Sequence, residues 1–350
     1  MEGSEYAWGM GPWIGFNLLL VILLVLDLGV LTRKDHVVGM KEATLLTLMW
    51  TAIAGGVAIW MFVFIGTDQG AKYLTSYVVE RALSIDNLFV FLVLFSYFKL
   101  PREYQPRALF FGIIGALIAR AVFIALGISV INAFAPVLFV LGGFLVYTAY
   151  KLAFSGSHDV DPEKNLALRV ARKFTKVSPS YDGHKFFTLS NGVRMATPFL
   201  LVVIVLGTTD IVFAVDSIPT VLGITRDGFI VWTSNAMAVL GMRPLFFLLA
   251  GMVALFRYLQ YGLAAVLGFV GAKMMFNEAV HQFNLDIHID EQLEVYGSLA
   301  IVILTLAVSI LLSKLIPPKP VLASPEFVHG TAASHDGAEV PARAADKEKT

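Results

Sequence analysis

Asp210-Ile-Val-Phe-Ala-Val-Asp-Ser-Ile-Pro219 sets two carboxylates, a hydroxyl and a proline into a run otherwise apolar enough to cross a bilayer. Earlier in the chain, Glu80-Arg-Ala-Leu-Ser-Ile-Asp-Asn87 repeats the pattern of an acid, five residues, an aspartate and a small polar side chain. A charged acid at the centre of a membrane helix costs about 2.5–3.5 kcal/mol on insertion scales. It persists where it pairs, lines a wet cavity or binds a cation. Two such stretches imply a buried polar site inside a helical membrane protein.

The composition agrees. The 350 residues are 57% hydrophobic and 15% charged, with mean hydropathy +0.75, whereas a soluble domain carries about 25% charged residues. A formal net charge of zero argues against nucleic acid, which rewards basic patches. The chain has no cysteine, so disulfides, thiol redox chemistry and thiolate-bound metals are excluded. Glu2 and Glu5, with no basic residue before Pro12, do not suit a secretory signal, so the first apolar run reads as a retained helix.

Apolar runs of the roughly 20 residues that cross a bilayer predict nine spans: 13–31, 43–65, 73–98, 107–128, 132–153, 197–220, 229–252, 259–278 and 293–316. Basic residues fall in alternate loops. Twenty lie on one side and two, Lys72 and Arg226, on the other, which predicts an outer N-terminus and a cytoplasmic C-terminus. Between spans five and six, turn signals surround a basic stretch at 163–177, read as a cytoplasmic amphipathic helix with a linker.

Further echoes join the two acidic stretches. Arg120-Ala-Val-Phe resembles Arg243-Pro-Leu-Phe, and Leu145-Val-Tyr-Thr-Ala-Tyr-Lys151 resembles Leu267-Gly-Phe-Val-Gly-Ala-Lys273. The expected fold is therefore an all-α polytopic membrane protein containing an inverted repeat of two three-helix units, with its site near the midplane. The expected parts are a two-helix segment (1–72), the first repeat (73–153), the linker (154–195), the second repeat (196–278), an outer loop with the last helix (279–316) and a disordered cytoplasmic tail (317–350).

Five acids lie within spans: Asp27, Glu80, Asp86, Asp210 and Asp216. Arg81, Arg120, Arg243 and Lys273 lie in or near spans and offer salt-bridge partners, most naturally for Glu80 and Asp210. Asp27 also has Arg33 and Lys34 close in sequence. Asp86 and Asp216 are each followed by a polar residue, Asn87 and Ser217, which a salt bridge alone does not need. Six residues along a helix turn the two acids of one stretch about 120° apart. One straight helix therefore cannot chelate an ion with both. Either each repeat contributes one acid, or the helix unwinds, and Pro219 favours irregularity in the second copy by freeing the carbonyl of Val215. All seven histidines fall outside the spans, so the ligands are oxygens, suited to Mg, Ca or Mn. Met237 and Met242 read as packing residues, and His281, Asp286, His288, Asp290, Glu291 and Glu294 as a solvated outer loop. No nucleophile–base constellation is present, so no enzyme activity is expected.

With these residues laid out, the chain resembles the TerC family of integral membrane proteins, its Alx-type members above all. The resemblance runs from Leu26-Asp-Leu-Gly29 through Lys273 and includes both acidic stretches, Phe229-Ile-Val-Trp-Thr-Ser-Asn235 and Leu240-Gly-Met-Arg243. It implies acidic site positions at Glu80, Asp86, Asp210 and Asp216, with polar partners at Asn87 and Asn235. Relatives usually carry a glutamate three residues before Asp210, where this chain has Gly207.

The implied function is efflux of a divalent cation, Mn2+ foremost, from a bacterial inner membrane. The cation is cargo and no cofactor is permanently bound. In this reading Asp86 and Asp216 are core ligands with Asn87, Ser217 and Asn235, and Glu80 and Asp210 complete the site or exchange protons. Arg120 and Arg243 balance charge, with Asp27 in a charge-balancing or coupling role. The expected partners are the lipid bilayer, the cation and protons. The competing reading is a membrane-bound redox modulator or tellurite-resistance protein without direct metal transport.

Overall fold

The computed structural model describes residues 8–27, 37–134, 136–154, 168–169, 177–190, 193–251, 258–283 and 291–316. Ten helices dominate: α1 (Met10–Leu26), α2 (Met40–Trp60), α3 (Thr67–Tyr97), α4 (Gln105–Ala133), α5 (Val137–Phe154), α6 (Pro198–Leu222), α7 (Gly228–Leu240), α8 (Met242–Ala250), α9 (Leu259–Gln282) and α10 (Glu291–Leu315). Among the described residues, six helical stretches are long and apolar enough to cross a membrane, or seven when the bent pair α7–α8 counts as one. Large apolar side chains such as Leu18, Leu45, Ile118, Val140, Leu304 and Leu311 cover their outer faces, the arrangement expected where the surrounding solvent is hydrocarbon.

The nine expected spans are thus matched in part. α1, with 17 residues, is short for a span. α3 is long enough, but every 18-residue window in it contains Glu80, Arg81 and at least one further charge. The charges of the first acidic stretch weaken the apolar signature of α3.

Local chemistry sets the helix ends. A single π-helical turn, Met61–Ile65, closes α2, and Gly66 at φ 146° turns the chain into α3, a conformation only glycine adopts without strain. The Thr197 hydroxyl accepts from the Leu200 amide at the start of α6, with Pro198 in the first turn. Asp227 caps α7 through the amides of Phe229 (2.9 Å) and Ile230 (3.2 Å). Its second oxygen accepts from the Trp8 indole at 2.6 Å.

The expectation of irregular backbone at Pro219 is corrected. α6 continues through Pro219 without unwinding. A proline removes one hydrogen bond, and here the flanking turns carry the helix across the gap. The break lies instead between α7 and α8, which meet at 42°. Pro244 cannot donate to the Leu240 carbonyl, and the helix stops at that residue. In the sequence echo at Arg120 the matching position is Ala121, and α4 is continuous there.

The linker also holds an element absent from the sequence reading. Strands β1 (Phe187–Ser190) and β2 (Val193–Ala196) form an antiparallel hairpin in which Phe187 faces Ala196 and Ser190 faces Val193. The overlooked signal was Asn191-Gly192, a favoured hairpin turn pair. Phe186 packs on Phe111 and Phe199, and the Tyr181 hydroxyl donates to the Phe98 carbonyl at 2.7 Å. These contacts tie the linker to α4, α6 and the end of α3. The Thr188 hydroxyl and the Lys185 ammonium hold the exposed Asp182 carboxyl below its usual range. The helix expected over 163–177 lies outside the described residues apart from the helical pair Leu168–Arg169 and Val177, which is not helical but bridges to Ala196 beside β2; the tail 317–350 also lies outside them.

The three most extensive helix pairings are α3 on α7, α4 on α6, and α5 on α9. In the last, a Cβ on Gly142 would stand 2.9 Å from the Gly271 carbonyl, and a Cβ on Gly271 would stand 2.8 Å from the Gly142 carbonyl. Paired glycines let the two backbones approach, as membrane helices require in the absence of a strong hydrophobic drive. A Cβ on the adjacent Gly143 meets nothing within 4 Å. Gly142→Leu is therefore expected to lower the yield of monodisperse detergent-solubilised protein several-fold, from an overpacking cost of about 1–3 kcal/mol. Gly143→Leu should leave that yield unchanged in size-exclusion chromatography.

Candidate functional site

The two acidic stretches meet at one arginine. Arg120 of α4 is completely buried and stands between α3, α6 and α7. Its Nε donates to Asp210 Oδ2 at 2.9 Å, and Nη2 reaches Asp210 Oδ1 at 3.4 Å. Its Nη1 bonds Glu80 Oε1 and lies 3.3 Å from both Ser217 Oγ and Asn235 Oδ1. The rigid, five-donor guanidinium suits this work, because it presents separate edges to two carboxylates while remaining charged.

The pairing expected for Glu80 and Asp210 thus exists, but one arginine serves both acids. With both carboxylates ionised the group carries one excess negative charge. Glu80 Oε2 and Asn235 Nδ2 are buried and make no hydrogen bond to a described residue.

The second acid of the later stretch points elsewhere. Asp216 is half-buried and lines a cavity of about 40 Å³ with Asn87, Thr148 and Ser217, against Leu83 and Leu267 among its apolar walls. The Thr220 hydroxyl donates to the Asp216 carbonyl at 2.8 Å. The rotation of about 120° between positions 210 and 216 explains the division: one acid turns to Arg120 and the other to the cavity. Ser217 belongs to both, since it bonds Arg120 and lines the cavity.

Asp86 occupies α3 between Leu83 and Asn87, both cavity residues. Its side chain lies outside the described residues. Among the described residues no three His, Cys, Asp or Glu side chains converge to hold a metal. The described cavity offers one carboxylate, one amide and two hydroxyls. Thr148 was missed in the sequence reading, although it sits within a repeat echo and is a polar residue in an apolar helix.

Asp27 and Arg243 are not part of this arrangement. They form their own buried ion pair, with Arg243 Nη2 2.7 Å from Asp27 Oδ1, where the break before α8 meets the end of α1. Arg243 echoes Arg120 in sequence, but Pro244 and the break set it in a different environment, against Asp27. Arg33 and Lys34 lie outside the described residues. Met237 and Met242 are buried in the core, and Glu294 pairs with Lys273 at 3.1 Å while accepting from Asn277. His281 has no described side chain, and residues 284–290 lie outside the description. Arg81, unassigned by the sequence reading beyond general pairing, donates to the Ala238 carbonyl at 3.0 Å. It thereby places a cation at the C-terminal end of the broken helix α7, where the helix dipole favours it.

Breaking a buried ion pair by removing one partner costs about 3–5 kcal/mol. Arg120→Met is expected to destabilise the protein on that scale, measured as a lower thermal unfolding midpoint in detergent. Adding Glu80→Gln and Asp210→Asn to the same variant should recover most of the loss.

A family model described as the integral membrane protein TerC family matches residues 65–320. An uncharacterized membrane protein of Myxococcus xanthus, STKORF319, is 44% identical over 277 residues, covering 78% of this chain and 86% of the relative. An uncharacterized membrane protein of Rickettsia bellii is 38% identical, with 77% and 89% covered. A protein of Escherichia coli K12 named as a candidate membrane-bound redox modulator, Alx, is 36% identical over 278 residues, with 77% and 87% covered. No solved structure matches the chain. By the extent of the family match and these identities, the chain belongs to the TerC family of integral membrane proteins.

Proposed function

We propose that the chain is a secondary transporter, not an enzyme, exporting a divalent cation, Mn2+ foremost, from the cytoplasm across a bacterial plasma membrane. The observation that carries this reading is the cavity lined by Asp216, Asn87, Ser217 and Thr148 beside the acid-rich Arg120 cluster. Its volume of about 40 Å³ holds one water-sized occupant. Its donors are all oxygens, which favour Mg, Ca or Mn over Cu or Zn. Asp86 and Asp216 are the core ligands in this reading, with Asn87 and Ser217. Asn235, Glu80 and Asp210 form the charged support around Arg120, and Asp27–Arg243 is a separate packing pair.

Nine crossings, with the N-terminus outside and the C-terminus in the cytoplasm, follow from the basic residues in alternate loops, and α1 and α3 are then spans despite length and charge. The packing supports the inverted repeat. Exchanging α3, α4 and α5 with α6, α7–α8 and α9 converts the α3–α7 pairing into α6–α4, and α5–α9 into itself. Such a repeat suits alternating access about a central site.

The name of the Escherichia coli relative favours a second reading, a membrane-bound redox modulator. Thiol–disulfide exchange requires cysteine, and this chain has none, so that route would have to be indirect.

Transport of radioactive Mn2+ into inside-out vesicles separates the two. Asp216→Asn and Asp86→Asn are each expected to lower flux at least about tenfold without lowering membrane abundance, since each removes one ligand charge from the cation. Full flux in both variants would remove the cavity from the transport path. A Cβ on Gly207 meets nothing within 4 Å, and Gly207 lies one helical turn before Asp210. Gly207→Glu is therefore expected to fold normally and to shift the apparent Mn2+ affinity in the same vesicles.

A further inference from the structure

Helical hydroxyls buried in an apolar interior normally donate to the carbonyl four residues earlier. Thr75 does so to Ala71, Ser234 to Ile230 and Ser309 to Thr305, at 2.7–2.8 Å. Ser76 and Ser84 of α3 are fully buried, yet neither hydroxyl bonds a backbone carbonyl or any other described group. Between them on successive turns stands Glu80, whose Oε2 is likewise unpartnered, and Asn235 Nδ2 on α7 shares this condition. At 100° per residue, Ser76, Glu80, Ser84 and Asn87 fall within an arc of about 80° and extend about 16 Å along α3. The lower end of this stripe, Asn87, opens on the cavity. Buried polar groups left without partners are rare and call for water, an ion or a second arrangement of the chain.

We propose that this face of α3, with Asn235 opposite, is the hydrated permeation path that carries the cation between the cavity and the far side of the membrane. Ser76 and Ser84 are its wall residues. The path is closed in the conformation described, where both serines are inaccessible, and it opens to water in the alternate conformation of the transport cycle. Its hydroxyls replace part of the water shell of the passing ion, and the Arg120 cluster, when both its carboxylates are ionised, lowers the barrier to a cation while opposing an anion. This inference rests on the transport reading for its cargo, but the path itself is testable without transport.

The chain has no cysteine, so a single Ser→Cys change supplies one near-isosteric thiol whose reactivity reports access to water. Ser76→Cys and Ser84→Cys are expected to react with a charged, membrane-impermeant methanethiosulfonate reagent from at least one side of vesicles of defined orientation. Thr75→Cys is the control, on the same helix at the same depth, buried and back-bonded to Ala71. The two path thiols should react at least about tenfold faster than this control, because rate follows thiolate access. Mn2+ should slow them. Leu83→Cys, on the cavity wall, replaces either variant that fails to give monodisperse protein. Rates equal to that of Thr75→Cys at every path position overturn the path, whatever the vesicles transport. Fast modification without protection by Mn2+ and without Mn2+ flux sustains the path and instead overturns Mn2+ as cargo.

Discussion

The buried guanidinium of Arg120 holds the centre of the molecule together. It binds Glu80 from α3, Asp210 and Ser217 from α6 and Asn235 from α7, so one side chain from α4 joins three other helices. In a hydrocarbon surround, helices gain little by hiding apolar faces from one another. Polar contacts and close backbone approach then decide which helices adjoin. Arg120 supplies the first of these, and the Gly142–Gly271 contact between α5 and α9 supplies the second.

The same constraint divides the acids by environment. Desolvating a carboxylate is costly unless a charge lies against it, and Glu80 and Asp210 meet that need at Arg120. Asp216, about 120° round the helix from Asp210, is left to the cavity. α6 thus carries one acid bound to Arg120 and another that lines the cavity. The ion pair Asp27–Arg243 anchors the start of α8 to α1 in the same manner, apart from the cavity.

The break between α7 and α8 adds a second theme. Two sequence echoes that look alike, Arg120-Ala and Arg243-Pro, give different structures because proline cannot donate at Leu240. Arg81 then caps the freed end of α7 at Ala238, and a Cβ on Gly241 would collide with its guanidinium. The two echoing stretches thus differ in structure: a continuous helix at Arg120 and a broken, pinned one at Arg243.

The helical, membrane-embedded class of the chain was legible in its composition, because a hydrocarbon solvent demands long apolar runs whatever their partners. The importance of Glu80, Asp210 and Asp216 was legible for the same reason, since each is costly unless compensated. Helix caps such as Asp227 and the Asn191-Gly192 turn pair are also local, and the hairpin between β1 and β2 was readable in principle. Other features depend on residues far apart in sequence meeting in space. No local rule says that Arg120, rather than Arg81 or Arg243, takes both acids, that Pro219 is absorbed while Pro244 ends a helix, or that Thr148 faces Asp216 across a cavity. Charge and hydropathy are properties of a residue and its solvent, so the sequence alone determined them. Pairing is a property of packed helices, and only the tertiary structure decided it.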